Sequence, residues 1–133
     1  MPFDPISPVP TVEVPALRSL EAGIARITNE RDWCKNFLHT TQRGWFGRQR
    51  HQYCAIGSVA QEFVDLKPGG ISRAKLENNR FPALDLTIAA MNKAVERRGY
   101  FDVADFNNSP AVTHSEVLAV MREAAEIIRS GQV

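Results

Sequence analysis

The sequence predicts an all-α protein: about five helices around a single core, with an extended proline-rich arm over residues 1–14 and a helical domain over 15–133. Three observations lead there. Apolar residues recur at spacings of three and four in several separate segments. Prolines and glycines punctuate those segments, and no alternating strand pattern exceeds four residues.

The arm comes first. Five of the eight prolines stand at 2, 5, 8, 10 and 15. Each removes a backbone donor and holds the residue before it extended. Thr11–Val14 is the one stretch there suited to pairing as an edge strand. Pro15 fits the first turn of a helix, where its missing N–H costs nothing. Leu17, Leu20, Ile24 and Ile27 then form one apolar stripe. Asn29 caps a second predicted helix, Glu30 to Leu38, that would bury Trp33, Cys34, Phe37 and Leu38.

Residues 39–50 carry two glycines and three arginines, and they read as a loop. A third helix is predicted from Gln52 to Leu66, with Ile56, Val59, Ala60 and Phe63 on one side. Lys67-Pro68-Gly69-Gly70 stops it. Ser72 caps a short turn, Arg73 to Asn78. Pro82 opens the next long helix, with Leu84, Ile88, Met91 and Val95 buried, and Gly99 ends it. Tyr100–Val112 reads as irregular. Thr113-His114-Ser115-Glu116 has the form of a capping box, and the helix behind it would bury Val117, Met121, Ala124 and Ile128.

Composition narrows the function classes. With 44% hydrophobic and 23% charged residues the chain is expected to fold as a globular domain. No apolar run approaches the ~20 residues of a membrane span, and the first residues lack a signal-peptide pattern. Sixteen basic against fifteen acidic residues give no global attraction to nucleic acid or anionic membrane. Two cysteines cannot make a disulfide framework, so both are expected as thiols of a cytoplasmic protein. There is no phosphate loop, dinucleotide fingerprint or nucleophile elbow, and no cofactor is expected.

Trp33-Cys34, Tyr53-Cys54-Ala55-Ile56-Gly57 and Phe106-Asn107-Asn108-Ser109-Pro110-Ala111-Val112-Thr113-His114-Ser115-Glu116-Val117-Leu118 occur in that order. Together, over roughly residues 16–130, they resemble a family of small bacterial and phage proteins known only as a domain of unknown function. Its pattern has W-C-x-x-G, then W-N-D-x-P-x-x-T-H. Cys54, Gly57, Asn107, Pro110, Thr113 and His114 match, whereas Tyr53 and Phe106 replace tryptophans and Asn108 replaces an aspartate. The resemblance implies a fold class and a phage or mobile-element setting, and it carries no activity.

Three constellations are candidate sites. Cys54 as nucleophile, His114 as base and Asn107 as the group orienting it would suit acyl transfer or amide hydrolysis. A packing role is the competing reading, because cysteine is among the most buried residue types. Cys34, His39, His51 and Cys54 form C-x4-H-x11-H-x2-C, which echoes a zinc site in ligand count, although such spacings also arise by chance. The segment 42–51 interleaves Arg43, Arg48 and Arg50 with Trp45 and Phe46, which suits a partner surface. Protein is favoured there over nucleic acid, since the chain as a whole is nearly neutral. The leading reading is therefore a small helical interaction or regulatory protein that binds a partner protein. An arm of this kind also suits exchange within a homodimer. Arg97, Arg98, Glu123 and Glu126 read as ordinary helix-surface charges.

Overall fold

A computed structural model describes residues 12–43, 47–69 and 81–133. Within them, helix α1 spans Glu13–Arg26 and is followed by a single 3-10 turn, Glu30–Asp32. Strands β1 (His39–Arg43) and β2 (Gln49–Tyr53) come next, then the short helix α2 (Ala55–Ala60). Helix α3 is Pro82–Glu96, α4 is Val103–Asn108 and α5 is His114–Arg129.

The all-α expectation is overturned by β1 and β2. They pair antiparallel with His39 opposite Tyr53, Thr41 opposite His51 and Arg43 opposite Gln49. The reason for the miss is visible in the residues. His-Thr-Thr-Gln-Arg and Gln-Arg-His-Gln-Tyr contain almost no apolar side chains, so no alternation of hydrophobicity marks either strand. A two-stranded ribbon declares itself by its ladder of hydrogen bonds, which composition does not record.

The helix set changes with it. The predicted Glu30–Leu38 helix stops after one turn, and Trp33 is already extended. The predicted Gln52–Leu66 helix loses its start to β2 and ends at Ala60. Residues 100–112, expected to be irregular, contain α4. At the N-terminus α1 begins at Glu13, so Glu13 and Val14 are helical rather than the end of a strand. Residues 1–11 of the arm and the predicted Arg73–Asn78 turn lie outside the described residues.

The long helices follow their apolar stripes closely. Leu20 and Ile27, Leu84, Met91 and Val95, and Val117, Met121, Ala124 and Ile128 are all buried. Helix α1 packs against α2, α3 and α5, and α3 lies along α5. Small residues let these helices close: Ala16, Ser19 and Gly23 on α1, and Ala83, Thr87 and Ala90 on α3, are buried. The Ser19 and Thr87 hydroxyls meet at 3.2 Å, and Thr87 also donates to the Ala83 carbonyl at 2.9 Å. Pro82 stands in the first turn of α3, as expected. Thr113 caps α5: its hydroxyl accepts from the Glu116 N–H at 3.3 Å and bonds the Glu116 carboxylate at 3.1 Å. At the far end of α3, Arg97 and Arg98 both reach Glu123, at 3.0 and 2.6 Å.

Candidate functional site

The chain from Trp33 to Leu38 has no regular structure of its own, so its polar groups must be satisfied from elsewhere. Asn107, at the end of α4, does most of this. Its Oδ1 accepts from the Trp33 indole N–H at 2.8 Å and from the Ala55 N–H at 3.1 Å. Its Nδ2 donates to the Cys34 carbonyl and to Asn108 Oδ1, each at 3.1 Å. Asn108 Oδ1 in turn accepts from the Asn36 N–H at 2.7 Å, where Asn36 reverses the chain in the left-handed region at φ 70°. Lys35 reaches the Ser109 and Val112 carbonyls at 2.5 and 3.1 Å while lying over the Trp33 ring. One buried amide thus ties the 33–38 segment to the start of α2 and the end of α4.

Cys54 sits at the N-cap of α2. Its sulfur accepts from the Gly57 N–H at 3.3 Å, and its own N–H donates to the Leu38 carbonyl at 3.4 Å. Gly57 explains the spacing. A Cβ there would lie 1.8 Å from the Leu38 oxygen, so only glycine lets the 33–38 segment lie against α2. The C-x-x-G match is therefore a packing device: a thiol cap followed by a backbone gap.

His114, the first residue of α5, brings its Nε2 to 2.6 Å from the Ile27 carbonyl and its ring to 5.7 Å from Trp33. It fastens the end of α1. In the arrangement read as Cys54–His114–Asn107, the asparagine does not act as an orienting group. Its two acceptor lone pairs and two donor hydrogens are all committed to Trp33, Ala55, Cys34 and Asn108, which leaves none for His114. Asn107 and His114 meet at Trp33, while His114 bonds the Ile27 carbonyl and Cys54 bonds the Gly57 N–H.

The four-ligand set splits into two pairs. His39 Nε2 meets His51 Nδ1 at 2.8 Å, and His39 Nδ1 bonds the Leu66 carbonyl at 2.6 Å while the ring stacks on Tyr53. Cys34 and Cys54 leave the backbone on the other side from Tyr53. Among the described residues, no three His, Cys, Asp or Glu side chains gather as a metal site. Burial, with the neighbouring Cys54 adding to it, pushes the Cys34 thiol up to about 12. Alkylation of Cys34 by iodoacetamide should accordingly speed up about tenfold per pH unit from pH 7 to 10, where only the thiolate fraction changes. A rate that levels off near pH 8 would contradict this.

The hairpin is the other candidate. Its strands grow more exposed away from His39 and Tyr53, and Arg43 and Arg48 are solvent-exposed at the far end. Neither has an ion-pair partner among the described residues. Arg50, predicted alongside them, is instead held by Asp32 at 2.8 Å. Trp45 and Phe46 lie outside the described residues. Trp33 as a hydrogen-bond donor and Lys35 as a strap have one signal in the sequence, the adjacent Trp-Cys pair, which fits a helix face equally well.

The chain belongs to the family of unknown function DUF6197, whose model matches residues 11–127. No curated protein and no solved structure matches the chain.

Proposed function

We propose that this DUF6197 member works by binding a partner protein through the β1–β2 hairpin, and that the partner surface is acidic. One observation carries the reading. Residues 39–53 contain three arginines and two histidines and no acidic residue, and Arg43 and Arg48 stand exposed at the end of the ribbon. Such a charge distribution attracts a negative surface locally in a chain whose net charge is only +1. The best catalytic candidates support the same conclusion from the other side. Asn107 is saturated by structural hydrogen bonds, and His114 spends Nε2 on a backbone carbonyl. The residues matching the family pattern then serve to hold the hairpin's base.

Trp45 and Phe46 lie between the two strands in sequence and supply the apolar contacts that anchor an interface. No helix among the described residues is long and apolar enough to cross a membrane.

The test compares immobilised wild type with two variants, Arg43→Glu/Arg48→Glu and Trp45→Ser/Phe46→Ser, against an extract of the source cells. A protein retained by wild type should be lost from both variants, with the melting temperature of Arg43→Glu/Arg48→Glu within about 2 °C of wild type, as expected for exposed sites. Retention unchanged by either variant would refute the reading. A retained species that is nuclease-sensitive and released steeply by salt would replace it with nucleic-acid binding.

A further inference from the structure

The chain's two cysteines, twenty residues apart in sequence, are brought into register by the fold. Trp33 and Tyr53 form an isolated parallel bridge, and the Cys34 N–H donates to the Tyr53 carbonyl at 3.0 Å. In a parallel pair the next residues along, Cys34 and Cys54, are neighbours whose side chains leave on the same side. Adjacent extended chains run about 4.8 Å apart, within the roughly 4.4–6.8 Å Cα separation that a disulfide spans. The Cys54 charge is accordingly close enough to oppose ionisation of Cys34. Both side chains are thiols in the structure.

We propose that Cys34 and Cys54 are a modification site, where a small-molecule disulfide such as oxidised glutathione is exchanged for an intramolecular Cys34–Cys54 disulfide. Cys34 is half-buried and Cys54 is 8% exposed, so the oxidant engages Cys34 first. The Cys34 thiolate attacks one sulfur of the oxidant, forms a mixed disulfide and expels one thiolate. The Cys54 thiolate then attacks Cys34 Sγ, forming the protein disulfide and expelling the second. Two protein sulfurs are oxidised, the small disulfide is reduced to two thiols, and the protein's two protons pass to them through solvent.

The position of the bond gives it a consequence. The ring it closes, residues 34–54, contains the whole of β1 and β2. The disulfide therefore staples the base of the hairpin without touching its exposed end. Burial outweighs the one backbone hydrogen bond, at Phe37, that favours the Cys34 thiolate, so the reduced form has little of the advantage that makes a disulfide strongly oxidising.

The experiment uses the reduced full chain and oxidised glutathione at about pH 9, where thiolate is replenished faster than at neutrality. After acid quenching, alkylation in denaturant and mass analysis, wild type should have lost two hydrogens, taken up no alkyl group and yielded a linked Cys34–Cys54 peptide. Its melting temperature should rise by about 5–10 °C and return on reduction. Cys54→Ser should stop at a single glutathione adduct on Cys34. The proposal is overturned if wild type keeps two glutathione adducts. It is equally overturned if wild type keeps two alkylatable thiols under conditions that fully modify Cys34 in Cys54→Ser, or if the link appears only in denaturant. Should Cys54→Ser fail to fold, the linked peptide and the reversible rise in wild type decide the matter alone.

Discussion

Gly57→Ala is expected to cost about 3 kcal/mol of stability, lowering the melting temperature by about 10 °C. The added methyl would stand 1.8 Å from the Leu38 oxygen, 2.6 Å from its carbonyl carbon and 3.0 Å from its Cα. All three atoms are backbone, so no rotamer change relieves the clash. The 33–38 segment must move off α2. That movement also strains the Cys54 N–H to Leu38 bond and the Asn107 hydrogen bonds to Trp33 and Cys34. Alanine's better helix propensity returns only about 1 kcal/mol, which the clash outweighs. Gly23→Ala is the control. Its Cβ would meet Val59 Cγ1 at 2.6 Å, Ser58 Oγ at 3.0 Å and Met121 Cε at 3.2 Å, all side-chain atoms rather than backbone. The Met121 end can swing away, but the buried Val59 is stiff at χ1 and must shift, so Gly23→Ala should cost less than Gly57→Ala, about 2 kcal/mol. Urea denaturation of the two variants checks the order; equal losses would mean that the Leu38 carbonyl is not held where it is described.

Replacing Asn107 should be nearly as damaging, and the manner of the damage is diagnostic. Asn107→Leu keeps the volume but strips partners from the Trp33 indole N–H, the Ala55 N–H and the Cys34 carbonyl. A buried polar group left unpaired costs about 1–3 kcal/mol. Trp33 and Cys34 are only half-buried and can recover some hydration, so the sum should come to about 3 kcal/mol. Asn107→Asp separates donor from acceptor roles. The aspartate retains an acceptor for Trp33 and Ala55 but places its second oxygen against the Cys34 carbonyl and Asn108 Oδ1, both acceptors. Only the protonated acid can donate there. Burial and the two facing oxygens both disfavour the carboxylate, so the folded-state pKa of that aspartate rises above its unfolded value. Its stability is then greatest below the unfolded pKa of about 4 and falls as pH climbs through the folded one. Denaturation of Asn107→Asp should therefore be closest to wild type at about pH 4 and far from it at pH 7. A variant equally stable at both would show that the amide's donor side is dispensable.

These two sites also show where the sequence was legible. The three long helices were. Their stripes at three- and four-residue spacing, the proline at the start of α3 and the Thr113 cap are local features, and a local feature can be read from neighbours in the chain. The hairpin was not, because polar residues such as Thr40, Gln42 and Gln52 become strand only through hydrogen bonds to a partner segment. The Trp33–Leu38 stretch was mistaken for a helix for a related reason. Its apolar residues fit a helical face, but Asn107, seventy-odd residues away, offers partners to the Trp33 indole N–H and the Cys34 carbonyl in an extended path.

The candidate site divides in the same way. Its residue types were all apparent: Cys54 with Gly57, Asn107, His114, the arginines around 43–50 and the paired cysteines and histidines. Their roles were not, since a role depends on which atom a side chain meets. Asn107 was read as orienting His114, and in the fold it has no hydrogen bond left to give it. Cys34, His39, His51 and Cys54 were read as one set, and strand alternation sends the cysteines and histidines to opposite sides. By itself, then, the sequence determined the apolar stripes, the caps and the inventory of reactive groups, all of which are decided within a few residues. Which carbonyl fills the space beside Gly57, which donors saturate Asn107 and which cysteine lies beside which were decided by tertiary structure alone. Those are pairings between distant segments, and the free energy that selects them exists only once the segments are packed together.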